Sequence, residues 1–376
     1  MQRITKMFST AALLSLVASG AHAVDVNWVG GTSSDVTVGS NWDTASVPAP
    51  GTDVARFSGA TNPDLNGNSV TWGSMWLGSG DSTIAATGGG TINLNATLNG
   101  NGSSFWAVGN STSTIAANLD AVGRVVSNNE QNVSFNGSVT TTKIESYNTS
   151  VMSFNGGLTM TDGFIGGHST ASHVLNSTTN WNFGGEKGLN SGGTVVLGAG
   201  FAPSANWGVW NLFNGSTVRL GGDNVLGGDI DLWTRTASNT LDLDGYSTSL
   251  EFLGSNAGTV LNIDFGDTPG ANTLIWAASH NSDGTYNITN FEQGVDSLIL
   301  GAAGAGGGFD PDNGGTTNLN KLTINGLGYE EDLGNGVYWT VIDADGTNHQ
   351  VQFVPEPTSL ALLGFGGLLV ARRRRG

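Results

Sequence analysis

Between Val24 and Phe353 the apolar and alternating stretches are cut at close intervals by Gly, Asn and Asp, and this punctuation limits the chain to short elements. An amphipathic helix needs apolar residues at helical spacing across about 11 or more positions, and no segment here sustains that spacing. The stretches read as strands instead: Thr91-Ile92-Asn93-Leu94-Asn95, Gly193-Thr194-Val195-Val196-Leu197, Thr240-Leu241-Asp242-Leu243-Asp244 and Thr259-Val260-Leu261-Asn262-Ile263. Strands of about five residues joined by tight turns predict a nearly all-β body. Composition agrees, because 59 of 376 residues are Gly and only 11% are charged. Ser, Thr and Asn fill the polar positions, and these residues favour turns and short strands over helix interiors.

Repeats choose among all-β folds. Phe-Asn-Gly recurs at Phe135, Phe154 and Phe213, at intervals of 19 and 59, the second close to three times the first. Leu-Asn-Gly-Asn occurs at Leu65 and Leu98, and Phe183-Gly184-Gly185 echoes the first set. About twenty residues make one coil of a parallel β-solenoid, in which Phe, Leu, Ile and Val stack inward while Asn and Gly turn the corners. This predicts a parallel β-solenoid (β-helix) over residues 61–255. Asn-Gly is also the preferred hairpin turn, so a sandwich or an antiparallel meander accommodates the same pattern.

Residues 24–60 precede that body and contain Asn27-Trp28-Val29-Gly30-Gly31, Ser40-Asn41-Trp42-Asp43, Val47-Pro48 and Asp53-Val54-Ala55-Arg56-Phe57. Trp28 and Trp42 are large enough to close the end of a β stack, and Pro48 and Pro50 protect its edge, which predicts an N-terminal β cap. The series resembles the opening of exported bacterial proteins with autotransporter-associated β-strand repeats, and the resemblance implies a solenoid starting here. Residues 256–353 change character, with a Gly-rich stretch at 301–308 between Asn287–Leu298 and Leu322–Asn325. They are expected to form a small C-terminal β unit that caps the solenoid.

Both ends read as addresses. Arg3 and Lys6 precede an apolar run, Ala11–Ala18, and then Ala21-His22-Ala23. A basic segment, an apolar core and a small-x-small site make a cleavable secretory signal peptide over residues 1–23. Ala21 and Ala23 set the cleavage site, and the mature chain starts at Val24. The other end, residues 354–376, reads Val354-Pro355-Glu356-Pro357-Thr358-Ser359, then an apolar run to Val370, then Arg372, Arg373, Arg374 and Arg375. Two prolines keep the first part out of a preceding sheet or helix, leaving a protease-accessible strip. Leu360, Leu362, Leu363, Phe365, Leu368, Leu369 and Val370 form a short C-terminal apolar helix and membrane segment. The four arginines stay on its cytoplasmic side, which places the body outside.

This tail resembles a PEP-CTERM sorting signal, the tripartite bacterial tail read by exosortases: Pro355-Glu356-Pro357, an apolar segment and a basic cluster occur in that order. The resemblance implies exosortase and the export machinery as partners, transient retention at the inner membrane and cleavage near Pro355-Glu356-Pro357. It further implies delivery to the cell surface or an exopolysaccharide matrix. The apolar part is short: about fourteen residues span roughly 21 Å as a helix, whereas a bilayer core takes about 20 residues. Bilayer thinning or snorkelling of the arginines accommodates that length.

The body is more acidic than the formal charge of −17 suggests, because six of the 13 basic residues lie in the two ends. With Glu356 also set aside, 7 basic residues face 29 acidic ones. Such a surface repels nucleic acid and anionic lipid and is compatible with neutral polysaccharide or divalent cations. With no Cys, disulfides, thiol catalysis and Cys-ligated metals are excluded.

Candidate chemistry is sparse. His168 and His173 lack the intervening Glu of a zinc helix, and together with His280 and His349 they read as solvated surface groups. No Gly-x-Ser-x-Gly elbow or phosphate-cradling loop is present. Carboxylate pairs two residues apart occur at Asp229 and Asp231, Asp242 and Asp244, Asp310 and Asp312, and Asp343 and Asp345. Each places two carboxylates on one strand face, where they could share a cation, although none completes an EF-hand loop and Asp-Gly is more simply a turn. The seven body cations are Arg56, Arg124, Lys143, Lys187, Arg219, Arg235 and Lys321. Only Arg219 and Arg235 lie near the first pair. Trp72 with Trp76, and Trp207 with Trp210, are either core or platforms for a sugar ring.

The expectation is therefore a non-enzymatic exported structural or adhesive protein with no cofactor and no metal. A carbohydrate-binding or polysaccharide-cleaving β-helix is the alternative. Convergence of Asp229, Asp231, Arg219 and Arg235 in one concave site would favour that alternative; their scattering would favour the structural reading.

Overall fold

The computed structural model describes residues 23–355 apart from 99–101, 169, 177–180, 184–186, 191, 202–207, 228–229, 268–269, 280–282, 305–307 and 332–336. Among the described residues strands dominate, with a single α-helical turn, Thr316–Leu319, and two 3-10 turns, Gly39–Asn41 and Pro311–Asn313. The strands form sheets of 15, 12 and 6 members, here the first, second and third sheets. Lateral pairing is almost entirely parallel, so the chain is a β-solenoid.

The chain visits the sheets in rotation. Arg124–Asn128 lies in the first sheet, Asn132–Phe135 in the second and Val139–Thr141 in the third, before Ile144–Ser146 returns to the first. After Trp181–Phe183 the third sheet ends and each coil uses two faces, as in Lys187–Asn190 followed by Thr194–Gly198. The repeat lengthens with that change. It is 20 residues from Phe105 to Val125 and 19 from Val125 to Ile144, but 24 from Ile165 to Leu189 and 23 from Leu189 to Leu212.

Period-2 alternation within each strand sends every second side chain inward, and parallel register stacks these side chains from coil to coil. On the first sheet Met75, Phe105, Val125, Ile144 and Ile165 are successive partners. On the second, Ile115, Phe135, Phe154, Leu175 and Leu197 are. All are at most 3% exposed, and burying each such side chain stabilises the fold by roughly 1.5–3 kcal/mol.

The Phe-Asn-Gly triplets at 135 and 154 occupy one corner in consecutive coils. Phe135 and Phe154 stack inside at 5.1 Å, and Asn155 Nδ2 donates to Asn136 Oδ1 at 2.9 Å outside. Asn176 extends this ladder by donating to Asn155 Oδ1 at 3.0 Å. Gly137 and Gly156 lie so close to the preceding coil that a Cβ would overlap the Ala117 carbonyl and the Gly137 carbonyl respectively. The third triplet belongs elsewhere: Phe213 follows a first-sheet strand, and Asn214 and Gly215 make a turn with φ of 56° and 82°. Its spacing of nearly three repeats is coincidental.

Parallel stacking extends past residues 61–255 in both directions. It starts with Asp25↔Val54 and runs to Ile288↔Ile324. The altered texture after residue 256 comes from a long excursion between Ser297–Gly304 and Leu322–Ile324, which carries the 3-10 turn and the helical turn. The solenoid is closed at its start by Trp28, Trp42, Phe57 and Trp72, whose rings meet at 5.2–6.1 Å. The Trp42 indole N–H donates to the Val36 carbonyl at 3.0 Å. At the other end an antiparallel hairpin, Val337–Asp343 with Asn348–Pro355, adds to the first sheet.

Candidate functional site

The hairpin brings the chain to the Pro-Glu-Pro segment. Its turn is built by carboxylates: Asp343 Oδ1 accepts from the Asp345 and Gly346 N–H groups, while Asp345 accepts from Thr347 and Asn348. These donors hold the exposed Asp345 carboxyl far below the ordinary range, the Thr347 hydroxyl being the largest cause. The expected pair Asp343 and Asp345 is thus a turn device.

Pairing then continues to Tyr338↔Val354 and Val337↔Pro355. Val354 and Pro355, expected to lie in a free strip, are instead the last paired residues of the sheet. A proline is accommodated there because a strand terminus does not require its missing N–H. Phe353 stacks on Phe291 at 6.0 Å, and Gln293 Nε2 donates to the Phe353 carbonyl at 3.5 Å. Beside this strand lies a cleft of about 360 Å³ lined by Phe291, Gln293, Val295, Ser297, Gln350 and Phe353.

At the opposite end Ala23 and Val24 are exposed, and the first strand begins one residue later at Asp25. Ala21, Glu356, Pro357, the apolar segment Leu360–Val370 and Arg372–Arg375 lie outside the described residues. Among the described residues no helix is long and apolar enough to cross a membrane.

The remaining candidates do not converge. Arg219 reaches Asp242 across the outer face of the second sheet at 2.6 Å, and Asp242 also accepts from the Asp244 N–H. The Asp242 carboxylate raises the Arg219 pKa above its usual value. Arg235 belongs to the first sheet's side of the coil, where it donates to Asn211 and covers the Trp233 ring at 4.6 Å. Asp231 accepts from the Phe252 N–H, Asp310 caps the 3-10 turn through Asp312 N–H, and Asp229 lies outside the described residues. Among the described residues no three His, Asp or Glu side chains are placed to hold a metal.

One charged cluster was not anticipated. Glu145, buried on the first sheet, receives Arg124 at 2.6 Å, Lys143 at 2.7 Å and the Tyr147 hydroxyl at 3.0 Å. Burial first, then the Glu145 charge, raises the Tyr147 pKa. Alternation around Ile144 could have hinted at an outward Glu145, but its partner Arg124 is a coil away.

The histidines and tryptophans also separate. His168 is exposed, His280 is outside the described residues, and His349 is half-buried 3.7 Å from Asp310. His173, expected at the surface, is buried because it occupies an inward position between Met152 and Val195. Trp72 and Trp210 are core residues, each 1% exposed. Trp76 lies against Gly78, where a Cβ would overlap the indole, and Arg56 covers its ring at 4.7 Å. Trp233 is held in the same way between Gly254 and Arg235. Trp106, the register partner of Trp76 on the same outer row, was not singled out from the sequence.

Comparison with curated proteins and with solved structures returns no match. A family model does match, over residues 353–375, and describes a PEP-CTERM protein-sorting motif. The match starts at Phe353, in the hairpin strand, and covers the Pro-Glu-Pro, apolar and basic parts; the autotransporter-associated repeats have no counterpart in it. The chain therefore joins a β-solenoid body to a PEP-CTERM sorting motif, the mark of an exported protein with a membrane-anchoring signal that implies processing by an exosortase.

Proposed function

We propose that this protein is a non-enzymatic structural or adhesive component of the cell surface or the extracellular exopolysaccharide matrix, delivered there by its sorting tail. The observation that carries the reading is continuity: the hairpin strand added to the parallel stack, Asn348–Pro355, already contains the first residues of the matched sorting motif. A stack whose coils contact only their neighbours makes a stiff spacer that holds its ends apart. The scatter of Arg219, Arg235 and Asp231 over different partners favours this reading over polysaccharide cleavage. The placement of Trp76 and Trp233 between a glycine and an arginine favours a packing role for those rings over sugar stacking.

Intact mass of the protein recovered separately from host membranes and extracellular matrix tests the proposal. The expected species starts at Val24, ends near Pro355 to Thr358 and is found outside the cell. A full-length C-terminus retained in membranes would reject processing and matrix delivery together.

A further inference from the structure

The last strand, Asn348–Pro355, has two unlike edges. One is paired with Val337–Asp343 from Asp343↔His349 to Val337↔Pro355. The other meets Ser297–Gly304 only at Gly301↔Asn348, Leu300↔His349 and Ile299↔Gln350. From Val351 onward these strands part, and the gap between them is the cleft beside Phe291, Gln293 and Val295. Among the described residues the main chain of Val351–Pro355 therefore has a strand neighbour on one side only. Val295 and Ile342, which border the cleft, are exposed apolar residues at 38% and 43%.

At two other places the chain covers a sheet end, with Trp28 bridged to Trp42 at the start and Leu327–Gly328 folded antiparallel onto Leu322–Ile324. An open sheet edge accepts a further strand, main-chain hydrogen bonds supplying the affinity. We propose that this edge docks an extended segment of the enzyme that processes the sorting tail, so that the residues ahead of the cut are read while they still belong to the folded body. This rests on the tail-processing reading above.

Continuity identifies the occupant. Phe353 is a wall of the cleft and the first residue of the matched sorting motif; Pro355 ends the strand and begins Pro-Glu-Pro. An enzyme that engages its substrate by strand addition takes it extended, and here the fold supplies that conformation in advance. The Phe291 ring under Phe353 and the Gln293 amide on the Phe353 carbonyl hold it. Ordering that a free peptide undergoes on binding is already complete, which makes Phe291 and Gln293 positioning residues.

The test is the rate of tail removal from the full chain in its host. Thr340 and Gln352 are cross-strand partners ahead of the matched residues, and the chain has no cysteine. Thr340→Cys with Gln352→Cys therefore gives one staple that locks the hairpin and leaves the other edge open. The oxidised staple is expected to be processed within about twofold of the same variant in its reduced form, whereas Ser297→Trp with Val295→Arg, which fills the cleft, slows processing about tenfold or more relative to the unmodified chain. Thermal unfolding of the cleft variant verifies that its body is folded, and the same tail on an unrelated carrier gives the rate without any cleft.

Arrest of the stapled form would overturn the proposal, because the strand must then peel away before cutting. Unimpaired processing of the folded cleft variant, or equally fast processing on the carrier, would overturn it too. Retention of the tail by the unmodified chain would remove the underlying reading, and the proposal with it.

Discussion

His173 shows how one inward position can set the acid limit of a solenoid. Its ring is 1% exposed, its Nε2 has no hydrogen-bond partner, and burial pushes its pKa from 6.5 down to about 3. The corner of an earlier coil is better furnished: Ser127 Oγ donates to the Gln131 carbonyl and Gln131 Nε2 to Ser113 Oγ. Around His173 the corresponding neighbours are Gly167 and Gly193. Below pH 6.5 the unfolded chain binds a proton that the folded chain excludes, so this group's contribution to stability is complete above pH 6.5. It is lost as pH falls toward 3, by an amount on the order of a few kcal/mol. His173→Leu is expected to flatten that part of the stability profile, as followed by denaturant unfolding between pH 7 and pH 4. An unchanged slope would assign the acid sensitivity to the carboxylates instead.

At the scale of an element, the Phe-Asn-Gly corner separates packing from decoration. The Asn136, Asn155 and Asn176 ladder is exposed, and a net hydrogen bond contributes about 0.5–1.5 kcal/mol. Gly137 instead permits the corner of one coil to approach the Ala117 backbone, and neither backbone can retreat without disturbing its ladder. Gly137→Ala is expected to cost about 1–3 kcal/mol or more through overpacking, and Asn155→Ala to cost less. Thermal midpoints of the two variants decide the order; equal shifts would mean that the corner is soft. The triplets at Phe135 and Phe154 were legible because consecutive coils repeat the same turn. The one at Phe213 misled because the same three residues also suit a left-handed turn.

For the whole molecule, the first sheet predicts shape. Among the described residues thirteen of its strands form one parallel series from Asp25–Asn27 to Ser297–Gly304. Twelve steps at about 4.8 Å give a stack roughly 60 Å long. Small-angle scattering of the exported form should show an elongated particle of about that length plus its caps, and a near-spherical particle would reject the stack. With 7 basic residues against 29 acidic ones in the body, repulsion between particles should be strong at low salt and fade as the Debye length shrinks. The change from three faces to two had no sequence signal, because the inserted turn residues resemble those of every other corner. The Glu145 cluster was hidden for a related reason: its cations Arg124 and Lys143 meet only after the coil closes.

By itself the sequence determined the sorting motif at the C-terminal end, the all-β character and the use of Asn and Gly at corners. These are local properties, set by short-range sterics, turn chemistry and hydropathy. Tertiary structure alone decided which rows stack, that His173 faces inward, that Arg219 and Arg235 serve different partners, and that the sorting motif begins inside a paired strand. Alternation along a strand says which side chains share a face; whether that face is inside, and what lies beside it, depends on a neighbour about twenty residues away.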